Sequence, residues 1–95
     1  MKTETLDKLN INEKATVAGV DAALSMYRRM LDLGFVKGTA VECVGKSPSG
    51  DPAAYLVRGA VIAIRREDAR EIYVNVNVNG EEKGEFLQGR EEEWD

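Results

Sequence analysis

The sequence has 95 residues, of which 43% are hydrophobic and 32% are charged, a length and composition that suit one globular domain. No apolar run approaches the roughly 20 residues that a membrane-spanning helix needs. The net charge is -4: residues 81–95 hold seven acids and two bases, a net charge of -5, and residues 1–80 carry +1. The nearly neutral body therefore has no basic surface that would attract nucleic acid. The absence of histidine removes the commonest general base and a frequent metal ligand, which argues against an enzyme.

The N-terminal part of the chain is predicted to hold an apolar anchor, a turn and a strand. Leu6 and Leu9 form the anchor, and the asparagines in residues 10–13 favour a turn, because asparagine readily adopts left-handed backbone conformations. Residues 15–20 are small or β-branched, which predicts a strand. Within it, Gly19 marks a bulge or a close approach of the backbone.

A helix is predicted from about residue 22 to residue 33. Asp21 is placed to cap its first amide groups, and Gly34 stands where a left-handed terminating residue is needed. Phe35 then folds back on Met30 in the hydrophobic contact of a Schellman motif. Both ends of this helix are therefore predicted from sequence.

The apolar face of this helix is wider than the face that a single helix normally packs against a small β-domain. We expect part of it, namely Leu24, Tyr27 and Leu31, to remain exposed for a partner or a second copy, with the neighbouring Arg28 on the polar stripe. The alternative is that the β-domain covers all of these apolar side chains.

Alternating or continuously apolar segments predict four further strands. They span residues 39–45, 53–57, 60–64 and 72–79. Residues 47–52 contain two prolines, a glycine and an aspartate, which indicates a restrained loop. Arg58 and Gly59 predict a tight turn, and residues 66–70 allow one helical turn. Cys43, the single cysteine, lies in an alternating apolar segment and is interpreted as a core residue.

The domain organisation is predicted to be one folded unit over residues 1–78 and an acidic C-terminal tail, expected to be flexible, over residues 79–95. Asn79-Gly80 is favoured in hairpin turns, but the residues after it form strands poorly. Five short strands, one helix and no βαβ spacing predict a mainly β fold, a small barrel whose closure hides the sheet edges.

Several motifs in order resemble the ferrous iron transport protein A family, FeoA. Residues 29–39, RMLDLGFVKGT, resemble the family block RLxELGFxPGT, and residues 50–52 match its GDP loop. Residues 58–74 resemble the final stretch RGxxLALRxxEAxxIxV. Lys37 replaces the usual proline of the first block, which affects only the rigidity of that turn.

This resemblance implies an SH3-like barrel of about five strands with one α-helix inserted after the first strand. It further implies an accessory protein of ferrous iron uptake that binds the cytoplasmic part of the FeoB transporter and modulates it. The alternative is a stand-alone SH3-like regulatory module that binds another protein, such as a metal-responsive regulator. Because the chain begins without the apolar stretch of a signal peptide, we expect a cytoplasmic protein without direct membrane insertion.

The predicted site is a partner-binding surface, with no catalytic residue, no cofactor and no metal site. The carboxylates concentrated in the tail attract cations only loosely, so direct iron binding is disfavoured. Weak homo-oligomerisation is left open. The candidate partner contacts on the helix and on the proline-containing loop are Leu24, Tyr27, Arg28, Leu31, Pro48 and Asp51.

Overall fold

The computed structural model describes residues 2–23 and 25–76. The strands are β1 Lys2–Thr5, β2 Lys14–Val20, β3 Ala40–Lys46, β4 Ala53–Val57, β5 Ala60–Ile64 and β6 Ile72–Val76. The helices are α1 Tyr27–Leu33 and α2 Arg66–Ala69, and a 3-10 turn spans Leu6–Lys8. Leu24, the end of the predicted strand 72–79 and the predicted acidic tail lie outside the described residues.

The strands form one antiparallel sheet in the order β1-β6-β2-β3-β4-β5. The mainly β architecture is confirmed, with six strands where the sequence predicted five. β1 was missed because its residues, KTET, are polar, and its pairing partner β6 is about 70 residues away in sequence. The helix α1 therefore follows the second strand. In the described part of the chain, β1 and β5 are the two outer strands of an open sheet, and no strand pairing closes it into a barrel.

The core lies between the inner face of the sheet and the short helical segments. In β4 and β6 every second side chain is buried, which is the alternation that the sequence predicted. The largest fully buried side chains are Tyr55, Phe35, Leu6, Leu9 and Ile72, so the predicted N-terminal anchor is confirmed. Cys43 is also fully buried, which confirms its interpretation as a core residue.

The helix α1 is shorter than predicted, because it begins at Tyr27 and not near residue 22. The Asp21 carboxylate accepts a hydrogen bond from the backbone N–H of Ala23 at 2.9 Å. This bond closes a local turn, an arrangement in which aspartate competes with helix formation. Met26 then occupies the cap position without a side-chain cap.

The end of α1 is as predicted. Gly34 has φ +117°, its N–H donates to the Leu31 carbonyl, and the Phe35 N–H donates to the Met30 carbonyl, both at 3.0 Å. These two bonds define a Schellman motif, and Phe35 and Met30 are both buried.

Two further local predictions are confirmed. The pairing of β2 with β6 shifts register between Val17 and Gly19, which is the predicted irregularity. Arg58 and Gly59 both have positive φ angles, 51° and 79°, as a two-residue hairpin turn of type I′ requires. Neither described α-helix is long or apolar enough to cross a membrane.

Candidate interaction surface

The helix α1 has a face towards the core and a face away from it. Met30 is 2% exposed, and Met26 and Leu33 are partly buried against the core cluster. These residues are spaced four and three apart and therefore share one side of the helix. Arg29 and Asp32 are exposed.

The candidate partner contacts on α1 are only partly covered. Tyr27 and Leu31 lie one turn apart and are half-buried, and Arg28 is exposed. We call Tyr27, Arg28 and Leu31 the outer face of α1. Its apolar side chains stay accessible because Met30 and Leu33 already supply the contacts with the core. Leu24 belongs to the same prediction but lies outside the described residues.

The loop of residues 47–52 is held by its own hydrogen bonds. The Ser47 N–H donates to the Pro52 carbonyl at 3.1 Å, and the Gly50 N–H donates to the Ser47 carbonyl at 2.7 Å. The Ser49 hydroxyl donates to the Asp51 carbonyl at 3.1 Å. Pro48 is exposed at the tip of this ordered turn, so it can meet a partner without a large loss of chain entropy.

Asp51 has a structural task as well as an exposed position. Its carboxylate accepts a hydrogen bond from the backbone N–H of Arg66, the first residue of α2, at 2.9 Å. Sequence reasoning did not find this contact, because it joins residues 15 positions apart across β4 and β5. The loop and α2 therefore form one continuous surface.

A groove runs between α1 and β5, which sequence reasoning also missed. It has a volume of about 200 Å³, and its walls are Met26, Arg29, Met30 and Leu33 on one side and Ile62, Ala63, Ile64, Arg65 and Asp68 on the other. Its lining is apolar except for Arg29, Arg65 and Asp68. The signal in the sequence was the uninterrupted apolar run of β5.

A small, partly open cavity of about 90 Å³ lies beside the loop, and its lining includes Tyr55, Asp7, Lys46 and Arg66. The Tyr55 hydroxyl donates to the Leu6 carbonyl at 3.5 Å. Burial is the largest cause that raises the pKa of Tyr55 to about 12, and electrostatic interactions with Cys43, Asp7 and Asp51 act in the same direction. The hydroxyl therefore stays protonated and neutral at physiological pH.

Acidic side chains gather beside α2, where Asp21, Glu67, Asp68 and Glu71 line a shallow depression. A side-chain hydrogen bond with Asp21 raises the pKa of Glu71, with smaller contributions from partial desolvation and from the Asp21 charge. Arg65 lies 3.3 Å from the Glu67 carboxylate and 3.5 Å from that of Asp68. Within residues 2–23 and 25–76, no group of three or more Cys, Asp or Glu side chains is arranged to hold a metal ion.

Comparison with known proteins places this geometry in a family. The FeoA domain model matches residues 4–76. A solution structure of an FeoA-like protein from Clostridium acetobutylicum is 34% identical with a TM-score of 0.74, covering 80% of this chain and 88% of that one. A crystal structure of FeoA from Stenotrophomonas maltophilia in complex with zinc, described as a prokaryotic SH3 domain protein, is 35% identical with a TM-score of 0.68. It covers 75% of this chain and 88% of that one.

A curated relative from Porphyromonas gingivalis is a fusion of Fe(2+) transport protein A with the Fe(2+) transporter FeoB. It is 31% identical over 71 residues, which is 75% of this chain. The chain spans only 8% of the length of that fusion protein. Together with the solved structures, this match confirms the predicted family resemblance and the SH3-like fold.

Proposed function

The chain belongs to the FeoA domain family, which is associated with ferrous iron transport, and we propose that it is an accessory protein that binds the cytoplasmic part of a FeoB-type transporter and modulates iron uptake. We further propose that it does so without catalysing a reaction. The sequence has no histidine, and Cys43 is fully buried, so neither a common general base nor an accessible thiol is present.

The observation that carries this proposal is the fused relative. In that protein one polypeptide holds the two parts, so each experiences the other at a high effective concentration. In either a fused or an unfused arrangement, the domain acts on the transporter only through a surface that recognises it. The proposal therefore assigns binding to exposed side chains of the domain and not to an internal site.

The outer face of α1 is the proposed principal contact. Tyr27 and Leu31 are half-buried and leave apolar surface accessible to a partner, and the exposed Arg28 adds a positive charge beside them. Tyrosine and arginine are frequent anchors of protein interfaces, because each combines contact area with hydrogen bonding. Pro48 and Asp51 form the proposed second contact, and Leu24 remains a proposed contact on the strength of the sequence.

Calorimetric titration of the full chain into the purified cytoplasmic domain of the FeoB-type transporter of the same organism tests this function. We expect binding by the natural sequence and at least tenfold weaker binding by Leu31→Glu, a loss of about 1.4 kcal/mol. Ile11→Glu is the matched control, since Ile11 is a 50% exposed apolar residue in the turn before β2 and belongs to neither proposed contact. We expect Ile11→Glu to change the affinity by less than about twofold.

Urea unfolding of both variants establishes that each remains folded. The proposal is wrong if the natural chain gives no binding heat, or if Ile11→Glu and Leu31→Glu weaken binding equally. A chain that fails to bind the transporter domain supports the alternative, a stand-alone regulatory module for another protein.

A further inference from the structure

The outer strand β5 lacks the features that usually protect the edge of a sheet. Its sequence, AVIAI, has neither a charge nor a proline. The other outer strand, β1, has the sequence KTET and is polar throughout. Val61 in β5 is 64% exposed, more than any other large hydrophobic residue that the structure describes. An apolar edge of this kind is a template for pairing with another strand.

The backbone groups of Val61 and Ala63 face away from β4. The two-residue turn before β5 closes with a hydrogen-bonded pair between Val57 and Ala60. Because pairs with and without hydrogen bonds alternate along an antiparallel ladder, the N–H and C=O groups of Val61 and Ala63 do not bond to β4. No turn or loop carbonyl of the described residues accepts their N–H groups. We call Val61 and Ala63 the β5 edge.

Both faces of the sheet are apolar beside the β5 edge. On the outer face, Val61 is the cross-strand neighbour of Leu56. On the inner face, the edge borders the groove between α1 and β5, where Met26, Leu33 and Ile62 are part of the apolar lining. An added strand therefore places alternate side chains in the groove and over Val61. The groove volume of about 200 Å³ suits one large apolar side chain and is small for an organic ligand.

Two arginines beside the groove carry charges that the described residues do not balance. Arg29 lines the groove, and Arg58 precedes β5 with its side-chain stem against the backbone of Gly34. Within residues 2–23 and 25–76, neither Arg29 nor Arg58 forms an ion pair. The third arginine, Arg65, is already paired with two carboxylates of α2. The groove and its end therefore favour a ligand that carries a carboxylate.

We propose that the β5 edge is a docking site for an extended, acidic segment of the transporter's cytoplasmic part, which adds to the sheet as a further strand; this inference rests on the proposed function. A large apolar side chain of the segment enters the groove. An aspartate or glutamate two positions away lies on the same face of the added strand and reaches Arg29 or Arg58. The residue between them covers Val61, where a β-branched side chain fits best.

A second copy of this chain is a poorer occupant of the β5 edge. Antiparallel pairing of two β5 strands centred on Ile62 would place Arg58 of one copy opposite Arg66 of the other. Like charges directly opposite each other across a strand pair are destabilising. An acidic segment makes the same backbone hydrogen bonds and gains attraction to the arginines, so charge selects it over a second copy.

Amide hydrogen exchange of the full chain, followed by NMR with and without the purified cytoplasmic domain of the FeoB-type transporter, tests the proposal. In the free chain we expect the Val61 and Ala63 amides to exchange within about tenfold of the rate in an unstructured chain. In the complex we expect both to exchange at least tenfold more slowly than in the free chain. Ile62 and Ile64, whose N–H groups bond to β4, are the internal controls and should exchange slowly in both states.

The outcomes of this experiment separate the inference from the proposed function. Binding without new protection of Val61 and Ala63 would overturn the inference and leave the transporter contact of α1 standing. Edge amides that are already protected in the free chain would also overturn it, because the chain itself or a second copy would then occupy the edge. Absence of binding heat in the Leu31→Glu titration series, for the natural chain, would overturn the proposed function and this inference with it.

Ala63→Pro tests the backbone pairing directly, because it removes one of the two edge N–H groups. Proline is tolerated on an outer strand where its nitrogen faces away from the neighbouring strand. We expect at least fivefold weaker binding of the transporter domain, since a hydrogen bond is lost and the ring obstructs the added strand. Ala63→Val is the matched control, which adds similar volume but keeps the N–H, and should change the affinity by less than about twofold. Equal weakening by both variants would contradict strand pairing. Urea unfolding verifies that both fold, and the exchange experiment does not depend on either.

The acidic character of the segment has its own test. Arg29→Gln should weaken binding about threefold, because one charge of the groove is lost. Lys8→Gln is the matched control, since Lys8 is exposed, carries the same charge and does not line the groove. We expect Lys8→Gln to leave the affinity unchanged. An equal effect of the two variants would show that only the overall charge of the chain matters and would overturn the assignment of an acidic segment.

Discussion

The Asp51 carboxylate lies 2.9 Å from the backbone nitrogen of Arg66 and accepts its hydrogen bond. The first N–H groups of a helix have no partner within the helix, and Arg65, at the cap position of α2, provides no side-chain cap. An aspartate from a distant loop therefore does what a local cap residue usually does. The contact joins the loop of residues 47–52 to α2 and fixes the orientation of both.

Replacing Asp51 with alanine should lower the free energy of unfolding by about 1 kcal/mol, because the Arg66 N–H loses its acceptor. Asp51→Asn keeps an acceptor oxygen and should lose less than half of that amount. Urea unfolding of the three proteins measures the difference. Ser49→Ala is the control within the same loop, since its hydroxyl bonds only to loop atoms. Equal losses for Asp51→Ala and Ser49→Ala would show that the bond to α2 contributes nothing.

The Gly34 position predicts a second effect on stability. Its φ of +117° is unfavourable for any residue with a Cβ atom, and a Cβ placed there would lie 3.0 Å from Cδ of Arg58. Gly34→Ala should therefore lower the free energy of unfolding by about 1 to 2 kcal/mol. Gly45→Ala is the matched control, because its Cβ would meet nothing within 4 Å. We expect it to change stability by less than about 0.5 kcal/mol, and a similar loss in both variants would contradict the conformational explanation.

These two positions illustrate what the sequence could and could not predict. The end of α1 was predictable because glycine followed by an apolar residue is a local signal, and Gly34 and Phe35 form the expected bonds. The turn at Arg58 and Gly59 and the alternation in β6 were local signals of the same kind. The contact of Asp51 with Arg66 depends on how β4 and β5 pair, and no local pattern encodes it.

The start of α1 and the strand β1 were missed for related physical reasons. Asp21 is a good helix cap in isolation, but its carboxylate is used by the turn that ends at Ala23. β1 has little strand propensity of its own and exists because β6 offers it an edge. The groove beside β5 is likewise a product of packing between α1 and the sheet. Surfaces formed where separate helices and strands pack together therefore could not be predicted from the sequence alone.

The contact between Glu71 and Asp21 makes stability depend on pH in a defined direction. The shared hydrogen bond raises the pKa of Glu71 above its ordinary value of 4.5, so the folded chain holds this proton more tightly than the unfolded chain does. The stabilising contribution is complete below the ordinary pKa and is lost as the pH rises through the raised one. At neutral pH the two carboxylates repel each other, and the contact destabilises the fold.

Glu71→Gln should therefore raise the melting temperature at pH 7, because the amide can donate to Asp21 at any pH. The gain should shrink as the pH falls and disappear below about pH 4, where the natural Glu71 is protonated as well. Thermal unfolding between these two pH values measures it. Glu67→Gln is the control, since it removes a carboxylate from the same acidic depression and leaves the Asp21 to Glu71 contact in place. It also removes the ion pair of Glu67 with Arg65, but that pair is exposed and contributes little to stability. A gain from Glu71→Gln that is the same at every pH, or that Glu67→Gln reproduces in full, would mean that general charge reduction and not the shared proton governs stability here.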